Sequence, residues 1–340
     1  MVSPNLARVN TSMPIQWRES FSACSIQNVS PVPSSVTVTV PATTANIGPG
    51  FDCLGAALNL YNRFHFTPFT PLSDSEPFQI SIEGAEAKRV NTGATNLVYR
   101  SYLKCYERIG STAPPVDIKI TLGVPLSRGL GSSSTAIVGG IVAANVLAGS
   151  PLDQMALAAL ANEIEGHPDN VVPALFGGAQ LTTMEKGRLH VCDLPWHESV
   201  VPVVIIPEFE LSTADARRVL PGKYSRADAV FNTAHIALLL RGIATGNGDW
   251  IAGGMGDRIH QPYRKKLIPG YDEVRRAAMQ AGAWGLVISG AGPTLIALSP
   301  PDQSEAVRSA MENAWRRQTF ASRAYCLHLE AQGAVESTIA

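Results

Sequence analysis

The chain has 340 residues, which is enough for two domains of ordinary size. Its 27 basic and 28 acidic residues leave a formal charge of -1, and no basic stripe is present to neutralise a nucleic-acid backbone, so nucleic acid is excluded as a partner. The apolar runs are shorter than the ~18 residues that cross a bilayer, so the sequence predicts no membrane span.

The first 35 residues differ in composition from the rest of the chain. Residues 1–35 are rich in Ser, Pro and Asn and contain one acidic residue, Glu19. This composition predicts a disordered tail, after which a first domain begins at residue 36. A transit peptide is the alternative interpretation, because such segments are also Ser-rich and poor in acids, although only Arg8 and Arg18 contribute positive charge.

The cysteines indicate the compartment. They are odd in number, widely spaced and lack a Cys-x-x-Cys pair, so we expect free thiols in a reducing environment. That environment is the cytoplasm or, with a transit peptide, a plastid. The five residues are Cys24, Cys53, Cys105, Cys192 and Cys326.

Residues 36–195 show the patterns of a mixed α and β domain. Alternating apolar residues predict strands at 36–40, 58–66, 78–82 and 116–122, with a hairpin formed by 179–184 and 189–192. A loop rich in glycine and proline, 41–52, follows the first strand. Helical spacing predicts helices at 96–109 with Thr95 as N-cap, at 136–147, and from Pro151 to Glu165 with Ser150 as N-cap.

A second series of elements begins after Trp196. Strands are predicted at 200–206, 284–289, 294–298 and 324–329, and helices at 214–220, 226–243, 271–281 and 302–315. This order is typical of a separate α+β unit. We therefore expect a first domain over 36–195 and a second domain over 196–335.

The most informative segment follows the predicted strand at 116–122. Gly129 and Gly131 can adopt backbone angles closed to other residues, and Ser132 and Ser133 stand where the next helix leaves its first N–H groups unpaired. Several amides and the positive end of a helix dipole would then face one anion, so the segment predicts a phosphate site. A turn whose serines only cap the helix is the alternative.

This loop differs from two standard nucleotide motifs. A Walker loop needs a lysine after its last glycine, where this chain has Ser132. A Rossmann fingerprint needs a third glycine, where this chain has Ser134, and a later acid for the ribose is also missing. A nicotinamide-dependent oxidoreductase is therefore a weak alternative.

Two other segments concentrate polar side chains beside apolar chain. Asn46 and Asp52 lie in the loop after the first strand, where they either form a turn and a cap or bind a small polar substrate. The segment 163–170 holds Glu163, Glu165, His167, Asp169 and Asn170 at a helix end. Such crowding usually serves a metal, a substrate or an internal network. For Mg2+, Glu165 is the first candidate and Glu163 the second, while zinc would need more His or Cys.

At this point three segments carry a resemblance. Residues 41–55, 125–135 and 289–295 are similar, in this order, to the three motifs of the GHMP kinases. Within that superfamily, 167–178, 212–217 and 261–264 resemble homoserine kinases. The likeness extends over about 36–330, and Ser132–Thr135 stands where Ser-Ser-Ala-Ala is commoner in the superfamily.

The resemblance implies an α+β fold with a ribosomal S5 domain 2-like N-terminal domain and a ferredoxin-like C-terminal domain. It implies ATP and Mg2+ as cofactors and L-homoserine as the substrate that is phosphorylated. Another GHMP kinase, acting on mevalonate, a sugar or a cytidine-linked alcohol, is the nearest alternative, and a non-catalytic binding module is a more distant one. The resemblance leaves a homodimer open.

The resemblance also implies roles for individual residues. Glu165 with Ser133 would hold Mg2+, Asp52 would receive the substrate hydroxyl, and Arg217 and Arg264 would hold the α-carboxylate in their planar forks. Asp52, Asp169 and Arg217 are the predicted catalytic residues. The rest of the substrate pocket would be formed by Asn46, His167, Asp169, Asn170 and Thr213. The ATP phosphates would be bound by Pro125, Leu126, Ser127, Arg128, Gly129, Leu130, Gly131, Ser132, Ser133, Ser134 and Thr135.

Overall fold

The computed structural model of the chain describes residues 33–71 and 76–339. Within these ranges eleven strands form two sheets. The strands are β1 (Ser35–Ala45), β2 (Leu54–Pro68), β3 (Phe78–Glu83), β4 (Val116–Thr121), β5 (Ala179–Glu185), β6 (Arg188–Leu194), β7 (Val201–Pro207), β8 (Gly285–Ile288), β9 (Leu295–Ser299), β10 (Ser322–Cys326) and β11 (Val335–Ile339).

Ten α-helices occur in the described part of the chain, and none of them is both long and apolar enough to cross a bilayer. The helices are α1 (Leu97–Ile109), α2 (Ser132–Leu147), α3 (Gln154–Glu165), α4 (Pro168–Phe176), α5 (Thr213–Arg218), α6 (Arg226–Thr245), α7 (Gly248–Gly254), α8 (Gln261–Arg264), α9 (Tyr271–Gln280) and α10 (Ser304–Arg317).

The first sheet has the order β11-β1-β2-β4-β3, and β5 pairs with both β2 and β6. Alternation in β1 directs three valines, at 36, 38 and 40, into a core shared with α1 and α2. Small residues let α2 lie directly on this sheet, because a Cβ atom on Gly139 would stand 2.3 Å from the ring of Phe64. The N-terminus of α2 is thereby fixed at the end of the β4–α2 loop.

The second sheet has the antiparallel order β10-β7-β9-β8. The helices α9 and α10 cover one of its faces, where the buried indole of Trp315 packs with Val203 and Ile288. On the other face, Val204 and Ile296 belong to an apolar cluster that also contains Leu54 and Leu58 of β2. The two sheets therefore share core residues, and the predicted domain boundary near 195 stays a prediction.

Several predicted element ends are wrong. Asn96 rather than Thr95 caps α1, because its side chain accepts the N–H groups of Val98 and Tyr99. Asp153 rather than Ser150 caps α3, so Pro151 lies before the helix instead of at its first position. The predicted loop 41–52 starts too early, since β1 continues to Ala45 after a register shift beyond Pro41.

Some elements have no counterpart among the sequence predictions. The helix α4 is not predicted, because it contains Pro168 and Pro173 and proline usually ends a helix. At the first helical position, however, a proline removes no intrahelical hydrogen bond. The short helices α7 and α8 and the strand β11 were also missed. The predicted disordered tail, 1–35, lies outside the described residues as far as residue 32, while Ser35 already belongs to β1.

Candidate active site

The loop between β4 and α2 exposes main-chain N–H groups at the start of a helix. Gly129 and Gly131 have φ angles of 77° and 67°, as predicted for a glycine loop. The helix begins at Ser132, and its N-cap Gly131 offers no side-chain acceptor. Among the described residues no acceptor is bonded to the N–H groups of 132, 133 and 134. The helix N-terminus can therefore bind an anion.

The carbonyl oxygens of the same loop are bonded to the two other motif segments. The N–H of Thr294 donates to Arg128 O at 3.2 Å, and the N–H of Thr43 donates to Leu130 O at 3.1 Å. The hydroxyl of Ser289 donates to Gly129 O at 2.7 Å. These bonds bring the three segments into one site, and they leave the N–H groups of 132–134 for a ligand.

The side chain of Arg128 stabilises the loop. Its guanidinium group donates to the carbonyl oxygens of Leu126, Pro207 and Glu208 and to Glu86 Oε1 at 2.7 Å. Glu86 Oε2 accepts the N–H of Leu126 at 2.8 Å. Burial alone would raise the pKa of Glu86, but these hydrogen bonds hold it below its ordinary value. Sequence reasoning missed Glu86, since a single acid after a strand carries no motif.

Eight of the eleven predicted phosphate-loop residues line a cleft, and three do not: Pro125, Leu130 and Thr135. Leu130 is fully buried in the apolar cluster shared by the two sheets. Thr135 donates to Ser132 O at 2.8 Å and accepts from Asn62 Nδ2 at 2.7 Å. Leu130 and Thr135 therefore support the loop from the protein interior.

The two acids proposed for a metal point in different directions. Glu165 Oε1 accepts the hydroxyl of Ser133 at 2.8 Å and that of Ser134 at 3.4 Å, so a carboxylate lies at the mouth of the phosphate loop. Glu163 instead pairs with Arg108 on the surface. Among the described residues no three His, Cys, Asp or Glu side chains form a metal-binding group. Glu165 and Ser133 can contribute to a Mg2+ site only together with a phosphate.

The loop from Asn46 to Asp52 holds an ion pair with the second half of the chain. Asp52 has a φ of 57°, and its N–H donates to Asn46 Oδ1 at 3.0 Å. Both Asp52 carboxylate oxygens accept from Arg217 of α5, at 2.8 and 3.0 Å. Asn46 in turn donates to Gly290 O at 2.9 Å. Predicted substrate residues from two distant segments thus meet beside the third motif segment, which contains Gly290.

The start of α4 brings an imidazole and a buried acid to the same wall. His167 Nδ1 is 2.8 Å from Asp169 Oδ1, and Asp169 is 2% exposed. Burial alone would lower the pKa of His167, but the bond to Asp169 and the charges of Asp169 and Glu165 raise it above its ordinary value. Asn170 accepts the hydroxyl of Thr43 at 2.8 Å, which ties α4 to β1.

Arg264 is the most deeply buried cation of the cleft. It is 2% exposed and donates to Ala216 O, to Gly290 O and to a nitrogen of His260. Among the described residues no carboxylate lies within 4 Å of its nitrogen atoms. Burial, followed by the nearby charge of Arg217, lowers the pKa of Arg264 to about 10. A buried guanidinium without an acid partner favours a negatively charged ligand.

All the predicted substrate residues line one cleft of about 500 Å³, a volume typical of small-molecule sites. They are Asn46, Asp52, His167, Asp169, Asn170, Thr213, Arg217 and Arg264, with Glu165 beside them. A further group that sequence reasoning missed comes from β2, from α1 and the segment before it, and from β4 and the residue after it: Asn62, Phe64, Val90, Asn91, Asn96, Leu97, Ile120 and Leu122. All eight are apolar or amide residues, which look like ordinary core and turn residues in a sequence.

Two family models match the chain. The model of the GHMP kinases N terminal domain matches residues 96–178, and that of the GHMP kinases C terminal domain matches residues 238–317. Together with the structural likeness below, these matches confirm the predicted α+β fold with two domains.

Individual proteins match over most of their length. Homoserine kinase of Microchaete diplosiphon is 58% identical over 303 residues, which are 89% of this chain and 97% of that protein. Homoserine kinase of Trichormus variabilis is 56% identical over 89% of this chain and 99% of its own length. The crystal structure of homoserine kinase from Cytophaga hutchinsonii superposes with a TM-score of 0.81 at 32% identity, covering 89% of this chain and 98% of that one.

Proposed function

The chain belongs to the homoserine kinase family of the GHMP kinases, and from this premise we propose that it transfers the γ-phosphoryl group of ATP to the side-chain hydroxyl of L-homoserine. The products are O-phospho-L-homoserine and ADP, and the reaction belongs to threonine biosynthesis. The protein is thus an ATP-dependent phosphotransferase with an alcohol acceptor. Identities of 56% and 58% to full-length homoserine kinases support this activity.

One observation carries the choice of an amino-acid acceptor: the buried guanidinium of Arg264 has no carboxylate within salt-bridge distance among the described residues. The α-carboxylate of homoserine supplies the opposite charge, and Arg217, whose terminal nitrogen atoms are paired with Asp52, adds positive potential on the same side of the Phe51 ring. A sugar has no carboxylate to offer. Mevalonate has a carboxylate but lacks an amino group. The buried carboxylate of Asp169 is suited to bind the amino group of homoserine.

In this proposal the nucleotide phosphates bind at the N-terminus of α2. The N–H groups of 132–134, which have no acceptor within the described part of the chain, and the helix dipole favour a polyphosphate there. Phosphoryl transfer depends mainly on alignment and positive potential, because charge spreads over the transferred group. Main-chain N–H groups that are already oriented supply both the alignment and the positive potential.

The carboxylate of Glu165 and the hydroxyl of Ser133 fit Mg2+, since both are hard oxygen donors 2.8 Å apart at the mouth of the loop. The metal, when bound with ATP, neutralises charge on the phosphate oxygens. Glu165→Gln should therefore raise the Mg2+ concentration needed for half-maximal ADP release about tenfold. Glu163→Gln is the matched control, because Glu163 pairs with Arg108 at the surface, and an equal effect of both changes would contradict the assignment.

Asp52 orients the hydroxyl of the acceptor. Its carboxylate is held by both terminal nitrogen atoms of Arg217, and a carboxylate that already accepts two hydrogen bonds from a guanidinium group is a poor base for an alcohol. The proton of the hydroxyl therefore leaves late, toward the phosphoryl oxygens. We expect Asp52→Asn to reduce kcat about a hundredfold or more in an ADP-release assay. Nearly full turnover by this variant would refute the role of Asp52.

A substrate panel tests the proposed function directly. The protein is incubated with ATP, Mg2+ and L-homoserine, mevalonate or galactose in turn, and ADP release is followed with the phosphorylated product identified by mass spectrometry. We expect turnover with L-homoserine. Turnover confined to mevalonate or galactose would assign the chain to another branch of the superfamily, and absence of any transfer would indicate a binding module.

For the location, we propose the cytoplasm. The free thiols of the four cysteines in the described ranges fit a reducing compartment. A fusion of residues 1–35 to a fluorescent protein in plant cells tests the alternative. Diffuse fluorescence supports the cytoplasm, and fluorescence in plastids would identify a transit peptide.

For the oligomeric state, we propose a homodimer formed through α6 and α7. These helices pack together and expose Val230, Leu238 and Trp250, at 63%, 37% and 39%. Between 229 and 240 the only titratable residue is His235, so this stretch of α6 can meet its copy around a two-fold axis without like charges opposing each other, and Asp249 is the acidic residue that α7 adds beside Trp250. Sedimentation velocity should show a dimer that Val230→Glu dissociates, and a monomeric unaltered protein would contradict the proposal.

A further inference from the structure

The two guanidinium groups of the cleft share one aromatic ring. The Cζ atom of Arg217 lies 5.5 Å from the ring centroid of Phe51, and that of Arg264 lies 5.1 Å from it. Two guanidinium groups beside one ring repel each other, and burial, followed by the charge of Arg217, lowers the pKa of Arg264. A π face attracts cations, so the ring of Phe51 offsets part of this repulsion.

His260 lies behind Phe51 and contacts Arg264. Its imidazole is fully buried and stacks on the Phe51 ring, with centroids 5.3 Å apart and planes at 26°. Nε2 is 2.8 Å from Gly48 O, and Nδ1 is 3.3 Å from Arg264 Nη1. A carbonyl oxygen can only accept and a guanidinium can only donate, so Nε2 carries the hydrogen and Nδ1 accepts from the arginine.

The imidazole remains neutral in this position. Asp257 Oδ2 is 3.6 Å from Nε2, but the Asp257 carboxylate already accepts the N–H groups of 259, 260 and 261 and the amide of Asn232. Burial lowers the pKa of His260, and the charge of Arg264 adds to that effect against the opposing charge of Asp257. The site thus avoids a third positive charge beside the two guanidinium groups.

We infer that the stacked pair Phe51–His260 is a positioning device that sets the place of the Arg264 and Arg217 forks and so determines recognition of the acceptor's carboxylate. Neither ring lines the cleft, so the pair acts through the arginines and not by touching the substrate. Gly48 and Phe51 belong to the same loop as Asp52, which holds Arg217. One loop therefore fixes both cations. The inference rests on the proposed function, because it presumes an acceptor with a carboxylate.

Two substitutions at position 260 separate the contacts. In His260→Asn the amide oxygen can replace Nδ1 and keep the bond from Arg264, whereas in His260→Gln the amide nitrogen can replace Nε2 and keep only the bond to Gly48 O. Phe51→Leu removes the shared ring. The chain offers a matched control in the stack of Phe231 and His235, which has Arg258 over it and contributes nothing to the cleft lining. Phe231→Leu and His235→Gln are the control variants.

The readout compares L-homoserine with 3-aminopropan-1-ol, which keeps the hydroxyl and the amine but lacks the carboxylate. We expect His260→Gln and Phe51→Leu to lower kcat/KM for L-homoserine about tenfold and to leave kcat/KM for 3-aminopropan-1-ol and KM for ATP within twofold. His260→Asn should keep most of the preference for L-homoserine, and both control variants should match the unaltered protein.

The outcomes distinguish the inference from the activity on which it rests. Equal losses with both acceptors, or a preference for L-homoserine that survives His260→Gln and Phe51→Leu, would overturn the positioning role while leaving the proposed kinase intact. Absence of homoserine-dependent ADP release from the unaltered protein would overturn the proposed function and this inference with it. Circular dichroism of each variant confirms that the compared proteins are folded.

Discussion

Gly131 links backbone conformation to ligand binding at the scale of one residue. Its φ of 67° disfavours any side chain, and an added Cβ would lie 2.0 Å from Thr43 Oγ1, which donates to Asn170. We expect Gly131→Ala to reduce the free energy of unfolding by about 2–4 kcal/mol and to raise KM for ATP at least tenfold. Urea unfolding and ADP-release kinetics measure the two effects.

Gly110 provides the control for that substitution. It caps α1 with a φ of 79°, and no atom lies within 4 Å of the position where a Cβ would stand. Gly110→Ala therefore reports the strain of the left-handed backbone alone, about 1–2 kcal/mol, with KM for ATP unchanged. If the two variants lost equal stability, contact with Thr43 would not matter at Gly131.

His167 makes a second residue-scale prediction, about pH. Its pKa is raised in the folded protein, because the bond to Asp169 and the charges of Asp169 and Glu165 outweigh burial and the opposing charge of Arg217. The protonated ring therefore stabilises the fold fully below its unfolded pKa of ~6.5, and this contribution is lost as the pH rises through the folded pKa. The stability difference between the unaltered protein and His167→Gln should be largest at pH 6 and shrink above pH 6.5. Urea unfolding of both proteins at several pH values checks this, and a difference that grew with pH would reverse the assignment.

At the scale of elements, the N-cap residue of α1 fixes the turn that precedes this helix beside the cleft. Asn96 is 3% exposed, and its Oδ1 accepts from Val98 N at 2.9 Å, whereas Thr95 is exposed outside the helix. Asn96→Ala should lower the free energy of unfolding by about 1–2 kcal/mol, and Thr95→Ala should change it by less than about 0.5 kcal/mol. Denaturant unfolding measures both, and a larger loss in Thr95→Ala would restore the cap predicted from the sequence.

Elements with a strong apolar period were predictable from the sequence, and elements defined by long-range pairing were not. The alternation of Val116–Thr121 and the charge-free run of α2 identify both elements without any tertiary information. In contrast, β11 is exposed at every residue and becomes a strand only because β1, some 300 residues earlier, offers it an edge. The helix α4 contains two prolines, and the effect of a proline on a helix depends on its position: it is favourable in the first turn and disruptive in the interior.

The same distinction applies to the candidate site. Glycines, acids and arginines in motifs indicated which residues to consider, and all the predicted substrate residues line the cleft. The hydrogen-bond partners of these residues could not be predicted from the sequence. Asp52 pairs with Arg217, and Arg264 donates to His260, only because folding brings these residues together. The support that Glu86 gives to Arg128 and Leu126 is equally nonlocal.

At the scale of the whole molecule, the cleft is built by both halves of the chain. The phosphate loop and α4 come from the part before residue 195, while Arg217 and Arg264 come from α5 and α8. The apolar cluster that contains Leu58 and Val204 joins the two sheets beneath the site. A ligand that contacts both halves therefore stabilises a core that they share.

Unfolding of the complete protein tests this coupling. We expect one thermal transition, with far-UV circular dichroism and tryptophan fluorescence giving the same Tm, because the shared cluster opposes separate melting of the two sheets. L-homoserine at about 100 times its Kd contributes roughly 2.7 kcal/mol, which should raise that single Tm by about 5 °C. The rise should vanish in Arg264→Lys, since an ammonium group cannot replace the planar fork in a buried site. Two transitions, of which L-homoserine moved only one, would show that the halves melt independently and that the ligand is held by one of them alone.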